Sequence, residues 1–231
     1  MAGLVAVGVR PVARLAVDHL AAHVEDADAV EVLREPLHGN ERADHGANGT
    51  KLVQAMEIVY ETHSTSTDNE AGIATGWLGG ELSAAGREQA RLLGERRRCD
   101  AIDTVLVSDL ARAVETAQIA FVGSGLAVRR DRRLRECDYG EWNGAPVARL
   151  EGRRAAHVDE PFPGGQSYRD VCRQMEPLLA ELREGRHGRR VLLIGHSATR
   201  WALDHLIDGR PLEELVDAPF PWREGWEYTW E

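Results

Sequence analysis

Four short stretches of this chain carry side chains able to attack, protonate and hold an anion. Glu61-Thr62-His63-Ser64-Thr65-Ser66-Thr67-Asp68-Asn69 opens straight after an apolar run and is dense in donors. Ser108-Asp109-Leu110-Ala111-Arg112 follows a second apolar run and puts Arg112 in the first turn of a helix. Leu134-Arg135-Glu136-Cys137-Asp138 supplies a carboxyl group, and Gly195-His196-Ser197 ends a further apolar run. Two histidines, an arginine and a carboxyl at one edge suit phosphoryl transfer. One imidazole attacks phosphorus, cations hold the spread negative charge, and a carboxylic acid protonates the leaving oxygen.

The elements between these stretches decide whether they meet. Strands are expected at 56–60, Thr104–Ser108, Leu126–Arg129 and Val191–Gly195. Ser83 can cap a helix to about Arg97, Ser108 or Asp109 one from Leu110 to about Ala120, and Ser167 one from Tyr168 to about Leu182; a shorter helix follows Ser197. Apolar strands alternating with amphipathic helices imply an α/β fold, a mostly parallel sheet covered on both faces as a three-layer α/β/α sandwich. Ligands of such sheets sit at the carboxyl ends of the strands, which is where the four stretches fall.

The chain has 231 residues, 43% hydrophobic and 29% charged, the balance of a globular protein. Its formal charge is −10, so bulk attraction to nucleic acid is excluded and an anionic ligand needs a local basic pocket. No apolar run is long enough to span a membrane, and the run Ala2–Val9 lacks the flanks of a secretory signal. Cys99, Cys137 and Cys172 are odd in number and widely spaced, which points to a reducing, cytoplasmic setting rather than a disulfide framework or a zinc site. Residues 1–55, rich in histidine and with an acidic patch, read as an N-terminal extension, and residues 56–231 as the catalytic domain.

Residues 56–231 resemble the histidine phosphatase superfamily, the phosphoglycerate mutase-like fold. Asn69 lies six residues beyond His63, as in that family's first block, and Gly76-Trp77 with Leu82-Ser83-x-x-Gly86-x-x-Gln89-Ala90 follows. Ser108-x-Leu110-x-Arg112-Ala113-x-x-Thr116-Ala117 matches the second block, and Leu134-Arg135-Glu136-x-x-x-Gly140-x-Trp142-x-Gly144 the block that carries the acid. Phe162-Pro163-Gly164-Gly165-Gln166-Ser167 resembles the family's Pro-x-Gly-Glu-Ser turn. The resemblance implies His63 as the nucleophile that becomes phosphohistidine, Glu136 as general acid and then base, and His196 as a donor to the transferred group. It implies Arg112 as the phosphate clamp and Asn69 as a neutral donor, with no metal and no cofactor. The 22 residues between Gly144 and Ser167 are similar to the compact phosphatase branch rather than the mutases. The expected partner is a small phosphorylated substrate.

Two departures bear on that site. Thr62 stands where the family has arginine, and Ser64 where it has glycine. Losing a charge-assisted contact costs roughly 1.5–3 kcal/mol, about ten- to a hundredfold in phosphate affinity. Thr62 and Ser64 offer uncharged hydroxyls, and Arg200, four residues past His196, is a candidate replacement cation. A phosphate-binding protein with weak or lost catalysis and a mutase-type phosphotransferase are therefore the alternatives to a phosphatase. A serine hydrolase built on Ser197 is excluded, because only 34 residues remain for an acid and a histidine downstream.

Overall fold

The computed structural model describes residues 55–220 and 223–230. The expected extension, residues 1–55, falls outside them except for its last residue. Five strands form the main sheet in the order β4 (Ala127–Arg130), β3 (Thr104–Val107), β6 (Arg190–Gly195), β1 (Met56–Thr62) and β7 (Trp226–Trp230). The first four run parallel, while β7 lies antiparallel on β1. The expected strands are present with ends moved by one or two residues. The C-terminal aromatics form β7, and they do so by burying Trp226 and Tyr228 against the sheet.

Alternation along each strand divides two cores. Ile58, Tyr60, Leu106, Val191 and Leu193 face α5 (Tyr168–Arg183) and α6 (Ser197–Leu206). Val59, Val105, Val107, Leu192 and Ile194 face α2 (Ala84–Arg97) and α3 (Ala111–Phe121). The result is a three-layer α/β/α sandwich, in which each fully buried aliphatic side chain contributes about 1.5–3 kcal/mol. Edge strand β4 is exposed throughout.

Ser83 caps α2 and Ser167 caps α5 through their side chains, as expected. The cap expected for α3 is not made. Its N-cap is Leu110, with no side-chain bond, and Ser108 is turned to a different use described below. Short elements complete the carboxyl edge: α1 (Thr67–Glu70), the two-stranded pairing of β2 (Ile73–Ala74) with β5 (Ala145–Pro146), α4 (Val147–Leu150) and α7 (Leu212–Asp217).

Candidate active site

β1, β3 and β6 end side by side, and the residues that follow them make one cavity of about 470 Å³. His63 leaves β1 with its backbone N–H on the Gly195 carbonyl at 2.9 Å, so the two histidines issue from neighbouring strand ends. Gly195 is required there. A Cβ would lie 2.4 Å from the Tyr60 hydroxyl, which donates to the His196 carbonyl at 2.7 Å and holds the turn.

Arg112 joins the two rings. Its Nε donates to His63 Nε2 at 3.2 Å and its Nη2 to His196 Nδ1 at 3.2 Å, while the ring centroids stand 5.0 Å apart. The same guanidinium is fixed by the carbonyls of Gly76 (2.9 Å) and Leu78 (3.3 Å) and is almost wholly buried. Because a guanidinium only donates, both facing ring nitrogens must be lone pairs. The protons sit on the far sides: His63 Nδ1–H donates to the Ser64 carbonyl at 2.7 Å, and His196 Nε2–H to Ser108 Oγ at 2.9 Å. Burial, and then the charge of Arg112, pull the His63 imidazole down to about 3. The same two causes, with His63 third, push His196 well below its ordinary value. His63 thus presents an unprotonated Nε2 to the cavity, as a nucleophile must.

Glu136 is buried at the wall of this cavity, and burial raises its carboxyl above the ordinary value, against the pull of the Cys137 N–H, Arg112 and the Ala198 N–H. Those two amides reach its Oε1 at 2.9 and 3.1 Å, the second from the first turn of α6. Trp77 Nε1–H donates to the Glu136 carbonyl at 2.6 Å and fixes the segment from the other side. A carboxyl that holds its proton more firmly than usual is suited to act as a proton donor.

The remaining expected residues divide. Asn69 borders the cavity, but its Oδ1 accepts from the Ser66 N–H and hydroxyl in a capping box, so only Nδ2 is left to donate. Thr62 is the last residue of β1, opposite Gly195, and does not border the cavity. Ser64 is buried and contributes its backbone N–H to Thr116 Oγ1 at 3.0 Å. Arg200 is not brought to the site. It pairs with Asp204 at 2.5 Å, lies over Trp226 at 4.9 Å, and borders a separate hollow. Glu61, two residues before His63, faces the other way and is neutralised by Arg97 and Arg96. Gln166 accepts from the Asp138 N–H, an acceptor role that glutamate would fill equally well. Sequence reasoning missed Ser108 and Trp77 as the groups that orient His196 and the Glu136 segment, although both sit inside matched motifs.

The model of the histidine phosphatase superfamily (branch 1) matches residues 62–221. The chain belongs to that superfamily. Among its relatives, a protein from Salmonella choleraesuis named "Probable phosphoglycerate mutase GpmB" is 30% identical over 164 residues, 68% of this chain and 76% of that one. Two solved structures are similar to this chain. A mycobacterial glucosyl-3-phosphoglycerate phosphatase is 31% identical with a TM-score of 0.62, covering 70% of this chain and 86% of its own. The α-ribazole phosphatase from Shigella flexneri is 25% identical with a TM-score of 0.61, covering 69% and 83%. In this histidine phosphatase no helix among the described residues is long and apolar enough to cross a membrane.

The departure at Thr62 leads to a direct test. Thr62→Arg is expected to tighten inhibition by inorganic phosphate about tenfold, the value of one charge-assisted contact. Inhibition constants of the two proteins check it. No change would mean that the carboxyl end of β1 offers a longer side chain no path to the cavity.

Proposed function

We propose that this chain hydrolyses a small phosphomonoester through a phosphohistidine on His63. The observation that carries the reading is the Arg112 guanidinium hydrogen-bonded to both imidazoles, with His63 Nε2 unprotonated and accepting from Arg112 Nε, a bond that phosphate oxygens take over when the substrate enters. In the first step His63 Nε2 forms a bond to phosphorus while the bond to the ester oxygen breaks, and the Glu136 carboxylic acid gives that oxygen its proton. Arg112 holds the equatorial oxygens. His196, protonated once a phosphate dianion lies beside it, donates through Nδ1. In the second step Glu136, now carboxylate, takes a proton from water. The water oxygen bonds to phosphorus, the P–N bond breaks, and inorganic phosphate leaves. The test is intact mass after rapid quenching: an adduct of about 80 Da, one phosphoryl group, is expected, and it must be absent from His63→Ala. An enzyme that turns over without this adduct would require a different nucleophile.

The pH dependence follows from the two shifts. Activity needs His63 unprotonated, which holds above about 3, and Glu136 protonated, which holds below its raised value. With an alkyl phosphate, kcat/KM is therefore expected to fall as pH rises through the Glu136 ionisation. Glu136→Gln should remove that limb and lower the rate by about 10²–10⁴. p-Nitrophenyl phosphate, whose leaving group needs no proton, should feel both effects far less. An alkaline limb of equal steepness for the two substrates would assign the acid to another group.

The name of the Salmonella relative supports a second reading, phosphoryl exchange between positions of one phosphoglycerate. It predicts that interconversion of 2- and 3-phosphoglycerate outpaces release of phosphate, and the hydrolase reading predicts the reverse.

A further inference from the structure

A second hollow lies beside the catalytic cavity and plays no part in the reaction above. Its volume is about 290 Å³, and Trp201, Ala218 and Pro219 form the partition, since they border both spaces. Arg200, Arg210 and Arg223 border the hollow and not the catalytic cavity. They come from α6, from the link between α6 and α7, and from the chain entering β7. Among the described residues no carboxylate borders the hollow. A cleft lined by one sign of charge, with apolar walls, concentrates its field on an ion that enters.

The fold supplies too little counter-charge for these three cations. Asp204 is buried and accepts from Arg200 at 2.5 Å, from Arg210 at 3.1 Å and from the Tyr228 hydroxyl at 2.6 Å, so one carboxylate answers two guanidinia. The Arg223 side chain makes no hydrogen bond or ion pair among the described residues and lies over the Trp226 ring at 5.0 Å. Glu224 beside it is directed to Arg96 at 3.7 Å. Arg200 lies over the same indole at 4.9 Å, and its Nε is buried with no hydrogen-bond partner. An aromatic face that holds a guanidinium leaves its N–H edge free, and that edge is what forks onto phosphate oxygens. Two cations gathered on one ring repel each other, and an anion between them removes the repulsion. We infer that this hollow is a second anion site, separate from the catalytic centre, that binds a phosphate dianion, free or as the head of a small monoester. Three cations against one carboxylate leave two positive charges uncompensated, which matches a dianion. Leu215, Pro219 and Trp201 give the remaining space an apolar lining for a small organic body.

An indole and an imidazole report on the two spaces separately, because Trp226 borders only the hollow and His63 only the catalytic cavity. Inorganic phosphate and phenylphosphonate, a dianion on a carbon that hydrolysis does not release, are each titrated into the full chain at constant ionic strength, with chloride as the control. The Trp226 indole N–H and the His63 ring are followed by NMR. Two saturable responses with different dissociation constants are expected. Arg223→Gln should weaken the response at Trp226 about tenfold, the value of one charge-assisted contact, and leave the one at His63 in place. Arg223 is the position to change because its side chain touches only the Trp226 face, so the fold does not depend on it. Tighter binding of the phosphonate at Trp226 assigns the site to a monoester, and tighter binding of phosphate assigns it to the free ion. A Trp226 resonance that stays still while His63 saturates overturns the inference. So does an equal response to chloride, the mark of an unspecific basic surface. A Trp226 response that shares the dissociation constant of His63 and ignores Arg223→Gln also overturns it, as a signal relayed from the catalytic cavity. A response at Trp226 with none at His63 would leave the hollow as a site and remove the phosphatase reading instead.

Discussion

His63→Ala is expected to lower kcat by on the order of 10⁴-fold or more, with the protein still folded. The imidazole borders the cavity with an unprotonated Nε2 directly after β1. His196 is the nearest alternative, but it is wholly buried, does not border the cavity, and its ring centroid is 5.0 Å away. Folding should survive because the backbone bond from residue 63 to Gly195 does not involve the ring. The side chain is half-buried, and its own protein contacts are the Ser64 carbonyl and Arg112. Circular dichroism and thermal unfolding check the fold, and single-turnover phosphate release checks the chemistry. Residual turnover above about one hundredth of wild type would show that water attacks phosphorus directly and that His63 only binds.

Much of this site was legible before any coordinates, for a local reason. A buried parallel strand reads as an apolar run, and the first polar residues after it must emerge at the carboxyl edge; His63 and His196 could be placed from that pattern alone. Groups that act through distant contacts could not. Ser108 is 88 residues from the His196 ring it orients, and Trp77 is 59 from the Glu136 carbonyl it fixes. The same blindness bears on the helix cap: Ser108 Oγ accepts from the His196 ring and from the Leu110 N–H, and α3 begins at Ala111 with Leu110 as an N-cap that makes no side-chain bond. Arg200 shows a different limit. Four residues is one helical turn, but His196 is an extended N-cap with φ −137° and ψ 177°, so its side-chain direction is not inherited one turn on. Arg200 is directed at Asp204, one turn further along α6, and at Trp226 of β7. Charge spacing along one helix cannot reveal a strand that closes the sheet from the far end of the chain.

Arg112→Ala should cost about 10³–10⁵ in kcat/KM, the range of an arginine that carries transition-state charge on a phosphoryl group. The size follows from Thr62: with threonine before the nucleophile and with Arg200 turned away, His196 alone shares the load with Arg112 on the histidine side. A truncation also strands the Gly76 and Leu78 carbonyls, so loss of fold must be separated from loss of chemistry. Arg112→Lys does this. It keeps the charge but not the planar fork that reaches two rings and two carbonyls at once, and should fall between wild type and alanine. A second readout is independent of turnover. Arg112 is the larger of the charges that hold His63 and His196 below their ordinary values, so removing it must raise both. Burial, the leading cause, remains, so His63 should move up from about 3 without reaching the value of a free imidazole. Imidazole resonances followed through an acid titration check the direction. An unmoved His63 in a folded Arg112→Ala protein would mean that the guanidinium does not sit between the rings, and with it would go the reason for expecting His63 to attack.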